Sequence, residues 1–228
     1  MPWHDDFYGV AVMVEFSLWD IFSNLLLAAR WTLLLSLIAF TGGGVLGLCL
    51  LVIRSSPMAA LQKAVAVYVQ VFQGTPLLMQ LFLAYFGLAL LGVETTAWMS
   101  ASVALTLYSS AFLVEIWHGC VKAVPKGQWE AAQSLALNFR EQLRFVIFPQ
   151  AAQLAVAPTV GFLVQVVKGT ALASVIGFVE LTKAGTMITN ATFKPFLVYS
   201  CVAFMYFAIC YPISFYARSL ESHLNVKR

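Results

Sequence analysis

Apolar positions run in long unbroken stretches along this chain, and polar positions gather between them. Five stretches are long enough to cross a bilayer core of ~30 Å, which takes ~20 apolar residues as helix. They run from about Leu25 to Ile53, Leu61 to Leu91, Trp98 to Trp117, Gln150 to Gly177 and Phe196 to Ala217. The second is too long for a straight helix and carries Gly74-Thr75-Pro76 near its middle. Cutting it there leaves halves of ~15 residues, short for a full crossing. One bent helix is therefore expected, and five spans in all.

The third and fourth stretches are separated by a polar segment with helical patterning, Glu130 to Ala151. Trp129, Ala132 and Ala136 recur at helical spacing and predict one packing stripe. Asn138, with Glu141 three residues on, has the form of a capping box that starts a second helix. That helix places Phe139, Leu143, Val146 and Ile147 on one face, and Arg140, Glu141 and Arg144 towards water or a partner. Pro149 is expected to mark the turn into the fourth span. Pattern alone leaves two readings: a helix pair resting on lipid headgroups, or a socket for a soluble protein.

Composition agrees with membrane residence. Of 228 residues, 61% are hydrophobic and 10% charged, far less charge than a soluble domain of this length carries. The net charge of +3 is too small for a nucleic-acid footprint. Its placement matters more. With the Glu130 segment in the cytoplasm, that side holds Arg54, Lys63, Lys122, Lys126, Arg140, Arg144, Arg218, Lys227 and Arg228. The other side holds Lys183 and Lys194, with Arg30 near the start of the first span, and the acidic stretch containing Asp5, Asp6, Glu15 and Asp20. The bias of basic residues to cytoplasmic loops then predicts an outside N-terminus and an inside C-terminus. Residues 1–23 form an extracytoplasmic segment, of which Phe7–Ser23 is amphipathic enough to lie along the interface. Residues 24–228 form one membrane domain.

Candidate chemistry is sparse. Cys49, Cys120, Cys201 and Cys210 show no metal-ligand spacing and read as small core residues. No GxxxxGK(S/T) phosphate loop and no intramembrane protease constellation occurs, so neither ATP hydrolysis nor covalent chemistry is expected. Ionisable groups within spans are costly and are functional candidates by default. Glu115 shares a helix face with His118 and pairs with it, pairs with a lysine, or meets a cationic substrate. Lys168 lies on one stripe with Gln165, near Pro158 and Gly161. It pairs with Glu115 or a partner subunit, or lines a path and meets a substrate carboxylate. Gln70, Gln73 and Gln80 ride the second span, where Gly74–Pro76 frees backbone groups that need a neighbouring helix or a cavity. Gly43-x-x-x-Gly47 predicts close helix approach, inside the subunit or across a dimer.

Glu130-Ala131-Ala132, then Leu135 and Ala136, then Phe148-Pro149-Gln150-Ala151, resemble the EAA loop of ATP-binding-cassette importer permeases, in the form of the polar amino acid permease family. Gly74-Thr75-Pro76-Leu77-Leu78 with Gln80-Leu81-Phe82 is similar to that family's GTPLL-QLF segment. Phe112 to Gly119 with Glu115-Ile116, Pro125-Lys126-Gly127-Gln128, and Lys168-Gly169-Thr170 with Leu172, Ser174 and Ile176-Gly177 continue the likeness in order. Departures are Ala136 for a glycine, Phe148 for a leucine, Gln73 and His118 for arginines, and Gly169 for an aspartate. Ala136 predicts an elbow that bends differently from its relatives.

The resemblance implies an all-α integral membrane protein with the type I importer permease fold and a cytoplasmic coupling loop at about 122–151. It implies that Glu130, Ala131, Ala132, Ala136 and Pro149 couple to an ATPase dimer that holds ATP and Mg, with no cofactor on this chain. Further partners implied are a second permease subunit, identical or homologous, and an extracytoplasmic amino-acid-binding protein, in a bacterial inner membrane. Gln73, Thr75, Glu115, Gln165 and Lys168 are the expected substrate-path residues, with no metal site.

Overall fold

The computed structural model describes residues 16–226. Every regular element among them is helical. The first helix, α1 (Leu18–Arg54), starts where Ser17 and Asp20 form a capping box. The cap therefore opens the helix before the expected start at Leu25. Part of the segment expected along the interface lies outside the described residues; the rest is Phe16, the Ser17 cap and the first turns of α1, with Ile21 fully buried. At 37 residues and ~1.5 Å per residue, α1 is ~55 Å long, well beyond the hydrocarbon core.

The second stretch is not one bent helix. It is a broken pair, α2 (Ala59–Gly74) and α3 (Leu77–Leu90), meeting at 103°. Pro76 disfavours helical backbone at the residue before it, and Thr75 is extended at φ −115° and ψ 143°. Two side chains satisfy the freed carbonyls. Thr75 Oγ1 donates to Val71 O at 2.8 Å, and Gln80 Nε2 donates to Phe72 O at 2.8 Å and Thr75 O at 3.1 Å.

Helix α4 (Ala97–Lys122) is capped by Thr96 and packs tightly on α1. A Cβ on Gly43 would stand 2.5 Å from Ser109 Cβ, and one on Gly47 3.3 Å from Ser110 O. The small face of α1 is thus used inside the subunit, as backbone against backbone. Tyr68 of α2 joins the same helix through its hydroxyl, 2.6 Å from Ser110 Oγ.

Helix α5 (Lys126–Ser134) leads to a helical run, α6 (Phe139–Ser174), with a π turn at Gln142–Ile147 and a tightened 3-10 end at Thr170–Ser174. Pro149 does not mark a turn: it lies in the first turn of regular α-helix after the π segment. A π turn already leaves the backbone ladder short of a bond, so the missing proline N–H is absorbed there. The apolar stretch expected to reach Gly177 ends at Ser174, and Gly177 turns the chain at φ +90°.

The short helix α7 (Leu181–Thr192) was not foreshadowed by the apolar stretches; α8 (Pro195–Val226) follows. Glu180 caps α7, is 0% exposed, and ties three helices together. Its carboxylate accepts from Thr182 N and Lys183 N, both at 2.9 Å, and from the Tyr206 hydroxyl of α8 at 2.8 Å. Thr32 of α1 accepts from Leu181 N at 3.1 Å on the same spot. Burial pushes the Glu180 carboxyl above its ordinary range, against these hydrogen bonds, which lower it.

The three larger apolar clusters among the described residues hold most of the bundle. One joins α1, α3, α4 and α6 around Leu35, Leu81, Leu105 and Phe162. A second joins α1, α7 and α8 around Leu25, Leu181 and Val198. The third anchors the polar segment, with Ile147 and Leu143 against Leu51, Val65 and Val121. Outward leucines, valines and phenylalanines remain exposed along α1 and α8, as lipid-facing helices require. Among the described residues, four helices are long and apolar enough to span a membrane, and the broken pair, taken as one span, makes five.

Candidate functional site

Two features could carry function: a cavity among the spans and the elbow of α5 and α6. The cavity measures about 1000 Å³ and is walled by α4, α6 and α8, with Gln73 at the end of α2. Four of the five expected path residues line it: Gln73, Glu115, Gln165 and Lys168. The fifth, Thr75, does not. It is spent on the helix break, where its hydroxyl also accepts from Gln80 Nε2 at 3.0 Å.

Glu115 pairs with Arg54 of α1, and with neither His118 nor Lys168. Its side chain keeps 44% exposure, while that of Arg54 keeps 14%, so the carboxylate still faces the cavity. His118 points elsewhere and lines a separate pocket. Lys168 forms no ion pair among the described residues and is exposed to the cavity. Gln73 Nε2 donates to Ala111 O at 3.3 Å, which holds its amide at the α2–α4 junction. Of the three polar departures from the resembled family, only Gln73 lines the cavity. A side chain at Gly169 would stand 3.2 Å from Leu77 Cδ2, so that position is a packing contact between α6 and α3.

Two contributors were missed, and a third was noted without its consequence. Arg218 and Glu221 of α8 add one charge of each sign to the wall; their i, i+3 spacing at the end of an apolar stretch was the available signal. Pro158 lies inside α6 and cannot bond the carbonyl of Leu154 four residues back. Both residues line the cavity, which gives the wall a backbone acceptor free of its helical partner.

The elbow is built as its sequence dictates, with two exceptions. Ala132 is buried and Trp129 half-buried, but Ala136 leaves the stripe. It is left-handed at φ +55°. Its N–H bonds Gln133 O at 2.9 Å, and the Leu137 N–H bonds Ala132 O at 3.3 Å. That pair of bonds is a Schellman stop. The alanine therefore adopts the left-handed geometry a glycine favours. The second exception is Phe139, exposed rather than packed with Leu143 and Ile147. Asn138 and Glu141 form the expected capping box, with Asn138 N 2.8 Å from Glu141 Oε2 and Glu141 N 3.0 Å from Asn138 Oδ1. Gln150 Nε2 donates to Gln128 Oε1 at 3.1 Å, lacing α6 to α5. Glu130 and Ala131 stay exposed on the outer face of α5.

Residues 43–226 match the family described as "Binding-protein-dependent transport system inner membrane component". The chain belongs to this family. Among curated relatives of this permease, the probable amino-acid ABC transporter permease protein YckA of Bacillus subtilis is 34% identical over 191 residues, 84% of either chain. The probable glutamine ABC transporter permease protein GlnM of the same organism is 32% identical, over 91% of this chain and 96% of that one. The crystal structure of an amino acid ABC transporter with histidines superposes at a TM-score of 0.84 with 32% identity, over 88% of this chain and 94% of that chain. The permease is therefore a multi-pass membrane subunit of an ABC importer with the type I permease fold. It is a transport component and not an enzyme; the ATPase of such systems is a separate subunit.

Proposed function

We propose that this permease conducts a polar, zwitterionic amino acid through the cavity lined by Gln73, Glu115, Gln165 and Lys168. The cargo is handed over by an extracytoplasmic binding protein, and ATP with Mg on a partner ATPase dimer drives the step. The observation that carries the reading is one cavity holding an unpaired ammonium, a partly free carboxylate and two amides on apolar walls. Lys168 offers a charge-assisted bond to a carboxylate. Glu115, with the Leu154 carbonyl, offers acceptors to an ammonium. The names of the two Bacillus subtilis relatives support the same cargo class.

The elbow docks on the ATPase through Glu130 and Ala131, with Ala132 packing α5 inward and Ala136 and Pro149 setting its geometry. This end of the bundle gathers Arg54, Lys63, Lys122 and Lys126, which supports a cytoplasmic elbow and C-terminus. The cavity-lining faces of α4, α6 and α8 meet a second permease subunit.

The test is uptake of labelled amino acids into proteoliposomes holding the permease, its ATPase and its binding protein. A hydrogen bond to a charged group contributes ~1.5–3 kcal/mol, so Lys168→Ala should lower uptake by roughly ten- to a hundredfold while the subunits still co-purify. Uptake at the wild-type rate would remove Lys168 from the path. Glu130→Lys should leave cargo binding intact but abolish cargo-stimulated ATP hydrolysis; retained stimulation would unseat the docking assignment.

A further inference from the structure

A second cavity, of about 740 Å³, lies where α1 ends, α2 begins and α4 runs into α5. Its wall carries Arg54, Lys63, His118, Lys122 and Lys126, and no acidic residue. Glu115 answers the charge of Arg54, but the three lysines have no ion-pair partner among the described residues. Ser55 Oγ and His118 Nδ1, on the same wall, are shielded from solvent and bond nothing. Such a wall is rich in donors and poor in acceptors. It repels itself until an anion enters, and a phosphate oxyanion meets both demands.

Beside it runs a groove of about 690 Å³ between α1, α4 and α6, walled by Leu48, Val52, Trp117, Ala152, Ala155 and Val160, among others. Its polar groups are met internally: Trp117 Nε1 donates to Thr159 Oγ1 at 2.8 Å. Val121 belongs to the walls of both the basic cavity and the groove. The groove takes the opposite side of α6 from the transport cavity, which sees Ala157, Pro158, Gly161 and Gln165.

We propose that one anionic phospholipid fills both spaces, its phosphate among Lys63, Lys122 and Lys126 and an acyl chain in the groove. Basic pockets between spanning helices suit anionic headgroups, and the adjoining apolar groove matches the rest of that molecule. A free phosphate would use only the first cavity, and an acidic protein surface would leave the groove empty. Trp129, Phe139 and Leu143 of the elbow also line the basic cavity, so the headgroup braces the elbow from the membrane side.

Native mass spectrometry of the complete, delipidated transporter tests this after readdition of phosphatidylglycerol or phosphatidylcholine. Phosphatidylglycerol should be retained in preference. A basic side chain near an anionic headgroup contributes a factor of roughly five, so Lys63→Gln with Lys122→Gln should weaken retention about 25-fold. Ala155→Phe, which fills the groove, should weaken phosphatidylglycerol but leave glycerol 3-phosphate binding unchanged. Equal retention of both lipids overturns the proposal. So does displacement of the lipid by inorganic phosphate to the same extent in wild type and in Ala155→Phe, which marks a free-anion site. A double lysine variant that keeps its lipid but sheds the ATPase overturns it too, assigning the basic wall to a protein partner. The readout is bound lipid, so it stands apart from the cargo assignment.

Discussion

Replacing Glu180 should loosen the fold more than any other single polar change among the described residues. Its carboxylate accepts from two backbone N–H groups at the start of α7 and from Tyr206 of α8. Truncation to alanine strands the two backbone donors in a site closed to solvent, while the Tyr206 hydroxyl keeps Thr182 Oγ1 at 3.0 Å. A buried donor left without a partner costs ~1–3 kcal/mol, which for two sums to roughly 2–6 kcal/mol. Two effects reduce that figure. The losses share one site and do not add, and the carboxylate's own desolvation, visible in its raised pKa, is relieved. A net loss of about 2–4 kcal/mol remains. Tyr206→Phe removes the bonds of its hydroxyl to Glu180 and to Thr182 Oγ1 and should lose ~1–2 kcal/mol. Glu180→Gln keeps one acceptor and should fall between the two. Thermal unfolding of the purified permease in detergent, read as loss of tertiary signal, ranks the three. If Glu180→Ala melts with the wild type, or above Tyr206→Phe, the capping argument fails. The pH dependence gives a second handle. A carboxyl raised above its ordinary 4.5 binds protons more readily in the folded state, so this group's contribution improves as pH falls through that raised value. Glu180→Gln should flatten that slope.

Other positions respond to different physics. Gly43→Ala places a methyl 2.5 Å from Ser109 Cβ and should destabilise by ~1–3 kcal/mol through overpacking. Gly44→Ala, with nothing within 4 Å, should be neutral or better; equal melting of the two variants would show that the α1–α4 seam yields freely. At Ala136, left-handed backbone costs a non-glycine residue ~1–2 kcal/mol. Ala136→Gly should therefore slow hydrogen exchange at the Leu137 amide, and Ala136→Val should speed it; the reverse order would mean that the stop is not strained.

The spans were legible because lipid imposes one long apolar pattern on every helix that crosses it. The Asn138–Glu141 box and the glycine face of α1 were legible because each signal sits within a few residues of its effect. What escaped depended on distance along the chain or on a rule bending. Arg54 reaches Glu115 across 61 positions, and Glu180 meets Thr32 across 148, so neither pair leaves a local trace. The 103° break and a bent helix share one sequence pattern, since Pro76 only forbids helix at Thr75 without setting the angle. Pro149 looked like a stop because proline usually is one, but the preceding π turn took up its missing bond.

The two arms of the elbow differ in slack. Towards α4 the connection is Ala123, Val124 and Pro125, a non-helical tether whose reach is at most ~10 Å at ~3.5 Å per residue. Towards the cavity there is no tether, because Phe139 and Lys168 belong to one helical run. At ~1.5 Å per residue they stand about 44 Å apart on a single rod. A displacement applied at Phe139 therefore arrives at the ammonium of Lys168 as leverage, attenuated by whatever bending the π turn and Pro158 allow.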